Sequence, residues 1–162
     1  MRILGIDPGF ERLGIAVLER ITEARPQGKE KVIFSECFKT SSKLEFSERL
    51  NLIGEEVRNI IKKYKPDVLA IETLFLNTNQ KTVMRVAEAR GVVIYEAAQA
   101  GLKVFEASPP QIKIATTGSG RADKAQINKM VKMLVEVDKN KTSDDELDAI
   151  AITLTACAHL KI

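Results

Sequence analysis

Apolar positions along this chain switch between two periods. Ile3 to Ile6 form a short continuous apolar run that ends in Asp7. Pro8 and Gly9 then break the strand, because proline lacks an N–H and glycine admits turn dihedrals. A second run, Leu13 to Leu18, follows at hairpin distance. A polar loop from Ile21 to Glu30, holding Pro26 and Gly28, leads into a third strand over Lys31 to Thr40. There the period becomes helical. Ser42 to Glu45 has capping-box spacing, and Leu50, Ile53, Val57, Ile60, Ile61 and Tyr64 recur at the spacing of one helix face. Lys65-Pro66-Asp67 ends that helix. Val68 to Ile71 is a second continuous apolar run, ending in Glu72; placed after a helix, it predicts a buried strand parallel to the first.

The second half repeats this alternation. A polar loop from Thr73 to Asn79 carries one aromatic, Phe75, and opens into a helix from about Gln80 to Gly101. Gly91, with Ala87, Ala97 and Ala98 nearby, lets that helix approach a neighbour closely. Leu102 to Ala107 reads as a fifth strand, and Ser108 with Pro109 caps a helix reaching Thr116. Gly118-Ser119-Gly120 is a turn. A helix from about Ala122 to Val137 directs Ile127, Val131, Leu134 and Val135 inward, and a last helix runs from Ser143 to about Leu160. This order predicts an α/β fold: an antiparallel meander, then parallel strands with crossover helices, giving a mixed five-stranded sheet flanked by helices. With no repeat, linker or low-complexity tract, residues 1–162 read as a single domain.

At 44% hydrophobic and 29% charged residues, the chain is a folding sequence and not a disordered one. No apolar run approaches the ~20 residues of a membrane span. Met1 leads straight into a strand with no signal peptide, so the expectation is a cytoplasmic protein with no membrane contact. Cys37 and Cys157 lack metal-ligand spacing and read as free packed thiols; His159 is too isolated for a catalytic triad. The net charge of +3 is a weak pointer to an anionic partner, but its distribution says more. From Ser108 to Lys141, seven basic residues (Lys113, Arg121, Lys124, Lys129, Lys132, Lys139, Lys141) stand against three acids. A solvated helix face accounts for Lys129, Lys132, Lys139 and Lys141. Lys113, Arg121 and Lys124 flank the glycine turn at helix ends, where backbone N–H groups also hold phosphate.

The acids carry the chemistry. Asp7 either starts a turn with Pro8 and Gly9 or is a buried strand-end carboxylate that needs a cation, and the first hairpin alone does not choose. In the last helix, Ser143 to Glu146 has capping-box spacing, and Asp144, Asp145 and Glu146 complement the helix dipole. Capping does not account for Asp148, which lies deeper on a helix that is apolar nearly all round and therefore buried. Asp7 and Glu72 both end apolar strands, and neighbouring strands bring them together. Acids crowded this way repel unless cations hold them. Oxygen donors without His or Cys suit Mg²⁺ or Mn²⁺, and two such ions activate water and stabilise the leaving oxygen in phosphodiester hydrolysis.

The segments GIDPG with Gly14 following, AIETLF, AEARGVV, GSGRADKAQI and DDELDAIAI cover nearly the whole chain. In that order they resemble the RuvC-type Holliday junction resolvases of the ribonuclease H-like superfamily. The resemblance implies a ribonuclease H-like fold and a Mg²⁺-dependent endonuclease, with Mn²⁺ as a substitute and two ions per site. It implies that the enzyme cuts four-way DNA junctions symmetrically in recombination and repair. It matches Asp7, Glu72, Asp145 and Asp148 to the four metal-binding acids, Phe75 to an aromatic that wedges at the crossover, and Lys113 and Lys124 to contacts with DNA phosphates. A homodimer through the Gln80 to Gly101 helix and a branch-migration complex of the RuvA and RuvB type are implied as partners. Read from its loop alone, Phe75 is better explained as a hydrophobic staple on the next helix; the resemblance reverses this in favour of stacking on an unpaired base. The chain departs from the family pattern at Phe10, where small polar residues are usual, at Arg121, and in a longer loop near Pro26. Two rivals are an actin-like ATPase or sugar kinase, which needs a second phosphate loop and domain that 162 residues do not hold, and a non-catalytic DNA-binding dimer on the same fold.

Overall fold

The computed structural model describes residues 1–20, 30–74, 80–137 and 141–160. Residues 21–29 of the predicted loop Ile21–Glu30 and the Phe75 segment, 75–79, lie outside the described residues, while Glu30 begins a strand. Three strands come first: β1 (Arg2–Asp7), β2 (Arg12–Arg20) and β3 (Glu30–Lys39). Then follow α1 (Phe46–Tyr64), β4 (Val68–Glu72), α2 (Gln80–Gln99), β5 (Lys103–Ala107), α3 (Pro109–Thr117), α4 (Lys124–Leu134) and α5 (Asp144–His159). The predicted element order and the mixed five-stranded sheet are what the structure shows, in the spatial order β3-β2-β1-β4-β5.

β1 is central. It pairs antiparallel with β2 and parallel with β4, and its apolar run is buried on both faces, which is why it reads as continuous instead of alternating. Ile3 packs on the α5 side with Ala16, Leu18, Val68 and Ala70. Leu4 and Ile6 pack on the α1 and α2 side with Leu13, Ile15 and Val17. Every residue of α5 from Ala149 to Cys157 is buried, so this helix is enclosed by the sheet, α3 and α4.

Three local expectations change. Helix α1 begins later than the Ser42–Glu45 spacing suggested: Glu45 is its N-cap, and the Glu48 side chain accepts from the Glu45 N–H at 2.8 Å. Arg49, which no part of the sequence pattern singles out, is buried on that helix. Helix α4 is capped by Asp123, whose carboxylate accepts from Gln126 N–H at 2.8 Å, and it stops at Leu134. The predicted extension to Val137 is not helical, and Leu134 is half exposed while Val135, in extended backbone, turns inward. Among the described residues no helix is long and apolar enough to cross a membrane.

Candidate active site

Two carboxylates are placed by sheet register. Ile6 of β1 lies beside Ile71 of β4 in the parallel ladder, so the next residues, Asp7 and Glu72, emerge side by side at the C-terminal ends of adjacent strands. Two more arrive on α5. Ser143 caps this helix, accepting from the Glu146 N–H, and puts Asp145 in its first turn and Asp148 one turn further. The depth at which α5 sits depends on two glycines. A Cβ at Gly5 would stand 2.3 Å from Thr153 Cγ2 and 2.6 Å from the Ala149 carbonyl oxygen; one at Gly14 would stand 2.2 Å from the Asp145 carbonyl oxygen and 3.1 Å from Asp7 Cβ. With side chains at these two positions the helix would ride higher and its acids would not reach Asp7.

The electrostatics follow from this crowding. Burial, then Asp148, Glu72 and Asp145, push the Asp7 carboxyl up to about 7 against a smaller opposing effect of Lys124. Glu72 is raised by burial and by Asp148. Asp148 is also raised, chiefly by burial, against the pull of Lys124, whose ammonium sits 2.7 Å from its carboxylate. Asp145 differs. Burial works to raise it, but hydrogen bonds from Arg12 and Cys37 outweigh that and hold it below the ordinary carboxylate range. Arg12 donates through Nε at 2.9 Å and through a terminal nitrogen at 2.5 Å, and the Cys37 thiol donates at 3.4 Å, all to the same oxygen.

These donors fit a divalent cation in kind: oxygen ligands only, from half-buried carboxylates that repel one another and lack sufficient positive charge. In the arrangement seen, Asp145 is turned to Arg12 and Asp148 to Lys124. No three acid, histidine or cysteine side chains among the described residues close on one point.

The other expected residues are distributed as follows. Lys124 joins the acid cluster as the first residue of α4. Lys113 is half-buried on α3, Arg121 is exposed in the turn before α4, and neither makes an ion pair among the described residues. Phe75 lies outside the described residues. Phe10 folds onto Phe46 edge-to-face at 5.8 Å and under the Arg49 guanidinium at 5.0 Å. Arg49 and Thr40 both donate to the Phe10 carbonyl, so the loop after Asp7 is fastened to α1 and β3.

Sequence reasoning missed Arg12, Cys37, Arg49 and Arg90. Arg90 donates to the Glu72 carbonyl at 3.0 Å and pairs with Glu106, fixing the end of β4. Its only signal in the sequence was a charged residue inside the AEARGVV segment. Arg12 and Cys37 carried no signal, because their shared partner lies over a hundred residues away.

Comparison with known proteins identifies the family. The family described as Crossover junction endodeoxyribonuclease RuvC matches residues 3–156. The protein of that name from Halothermothrix orenii is 44% identical over 95% of this chain and 90% of its own length. The one from Thermosipho melanesiensis is 43% identical over 94% of each. Among solved structures, Thermus thermophilus RuvC in complex with a Holliday junction substrate superposes with a TM-score of 0.88 at 30% identity, covering 97% of this chain and 93% of that one. The chain therefore belongs to the RuvC family of crossover junction endodeoxyribonucleases, Holliday junction resolvases of ribonuclease H-like fold.

Proposed function

We infer that this chain resolves four-way DNA junctions as a Mg²⁺-dependent homodimer in the cytoplasm, hydrolysing one phosphodiester on each of two symmetry-related strands. The observation that carries this reading is the convergence of Asp7 and Glu72, from adjacent parallel strand ends, with two acids delivered by a buried helix. The similar Thermus thermophilus protein, solved with a Holliday junction substrate, supports the choice of nucleic acid.

Asp7, Glu72, Asp145 and Asp148 would hold the ions. Asp7 is the acid that feels all three others, which suits it to be shared between two ions. Bound divalent ions supply an activated water and charge neutralisation at the leaving oxygen. The chain's own residues do the positioning. β1 and β4 fix two ligands, Arg90 fixes the backbone of one of them, and Gly5 and Gly14 admit the helix that brings the others. Lys124 sits where a phosphodiester would enter, with Lys113 and Arg121 as further phosphate contacts and Phe75 as the aromatic that stacks at the crossover.

The dimer is read from α2. Its outer side exposes Met84 and Tyr95, and nothing lies within 4 Å of the place a Gly91 Cβ would occupy, so a second copy can approach closely there. A two-fold pair of sites matches the two-fold symmetry of a junction. A branch-migration complex of the RuvA and RuvB type is the further partner the family implies.

The deciding experiment is Asp148→Asn on a synthetic four-way junction, with Mg²⁺ and with chelator. The amide keeps the shape and loses the charge that holds the ion, so junction binding should persist while cleavage disappears. Near-normal cleavage at saturating Mg²⁺ would remove the four-acid site.

A further inference from the structure

We propose that Arg12 is a built-in stand-in for the cation at Asp145: it occupies one oxygen of that carboxylate, and a divalent ion must displace it to use that oxygen. The proposal rests on the reading of Asp145 as a metal ligand. Three donors converge on one Asp145 oxygen, two from Arg12 and one from the Cys37 thiol. An oxygen so occupied has no lone pair left for a metal at ~2.0–2.1 Å. A metal that uses Oδ2 therefore needs the Arg12 fork to open. The acids share one end of the sheet, yet no three of them close on one point.

Arg12 is suited to letting go. It is the first residue of β2, its side chain is 52% exposed, and Asp145 is the only ion-pair partner the structure gives it among the described residues. Released, the guanidinium regains water at little cost. A buried arginine such as Arg49, held by Thr40 and the Phe10 carbonyl, would not. Lys124 occupies Asp148 in a parallel way, but its position suits it to a phosphate as well, so Arg12 is the cleaner probe of competition with the ion. Even where the guanidinium stays nearby, its positive charge opposes a divalent ion on the same carboxylate.

The test is calorimetric titration of the full-length, DNA-free protein with Mn²⁺, comparing wild type, Arg12→Gln, Arg12→Lys and Asp145→Asn. Melting curves are recorded with chelator and at saturating Mn²⁺. Arg12→Gln should bind Mn²⁺ tighter by roughly two- to fivefold, the range for an ion pair as exposed as this one. Arg12→Lys, which keeps the charge but loses the fork, should fall between. Arg12→Gln should melt below wild type in chelator, and that difference should close at saturating Mn²⁺, because the loaded wild type has also given up the pair. A residue that only props β2 would lower melting equally in both conditions and leave the affinity alone. Unchanged or weaker Mn²⁺ binding by Arg12→Gln, while Asp145→Asn binds weakly, overturns the role of Arg12 and leaves the four-acid site standing. Unchanged binding by Asp145→Asn removes that acid from the site, and the proposal with it.

Discussion

The two faces of the sheet are built to opposite rules. On the α5 face, the fully buried polar groups are Thr116, Thr153 and Thr155, each donating its hydroxyl to a carbonyl of its own helix. On the α1 and α2 face, the buried polar groups are ionic: Arg49, and Glu96 held by Arg58 at 2.6 Å. The α5 face is closed by its own chain, and α5 is enclosed from Ala149 onward. The other face ends in α2, whose outer side leaves Met84 66% and Tyr95 59% exposed. A closed apolar face fixes the angle at which two acids are presented. The α1 and α2 face is finished in charge and in bare apolar surface on the helix through which the proposed second copy would pack, while apolar side chains exposed on the other side, among them Ile114 and Met133, lie on α3 and α4 and leave α5 covered. Rigid placement of the acids and the proposed dimer contact thus fall on different sides of one sheet.

The contrast breaks most sharply at two glycines. Gly5→Ala puts a Cβ 2.6 Å from the Ala149 carbonyl oxygen, which is backbone and cannot rotate away as the Thr153 methyl can. The variant should lose about 1–3 kcal/mol or more by overpacking. It should also cleave junctions poorly, because α5 is pushed off the acids it must meet. Gly91→Ala, with nothing within 4 Å of its Cβ, should instead gain up to ~1 kcal/mol of helix propensity. Chemical denaturation of both variants checks the pair. If Gly5→Ala is as stable and active as wild type, the two faces do not differ in how tightly they are packed.

A smaller effect, confined to assembly, is expected from Gly91→Leu. The side chain points into open space in one copy and blocks close helix approach between two. Sedimentation should show dimer affinity falling by at least roughly tenfold while the thermal midpoint of the monomer holds or rises. A wild type that is monomeric at micromolar concentration, on and off DNA, would mean that α2 has no partner of its own kind.

The same contrast explains what was legible in the sequence. Continuous apolar runs ending in Asp7 and Glu72 gave strands buried on both sides, and register then forces those acids together. The apolar circumference of α5 isolated Asp148 as an acid that capping could not explain. On the other face the pattern was diluted. Arg49 and Glu96 look like solvent positions in a helical period, and only their distant partners, Phe10 and Arg58, make their burial affordable. The early start assigned to α1 has a related cause: Ser42–Glu45 and Glu45–Glu48 offer overlapping caps, and local spacing does not rank them. The helical period carried past the end of α4 predicts Leu134 inward, but the chain leaves the helix there and Val135 turns in instead.

The smallest expected effect is the most specific to the ionic face. Glu36, on β3, has a buried Oε1 that makes no hydrogen bond in the structure, and the carboxyl closest in influence is Glu56 of α1. Burial first, then Glu56 and Glu146, against the pull of Lys63, push the Glu36 carboxyl up to about 7 from an ordinary 4.5. A bond between the two carboxyls exists only while one carries a proton. The sign follows. Between about 4.5 and about 7 the folded protein keeps a proton that the unfolded chain has given up. Stability therefore falls as pH rises through that window and stays lower above it. Glu36→Gln removes this contribution. Its metal-free stability should fall less than that of wild type from about pH 5 to about pH 8, by of order 1 kcal/mol once solvent screening of a partly exposed group is allowed for. The acids near α5 impose a slope of the same sign on both proteins, so the difference between the two curves isolates Glu36. Cleavage by Glu36→Gln should match wild type, because no site residue touches this pair. Parallel stability curves would show that the charge on the α1 face is solvated after all, and that the two faces differ only in packing.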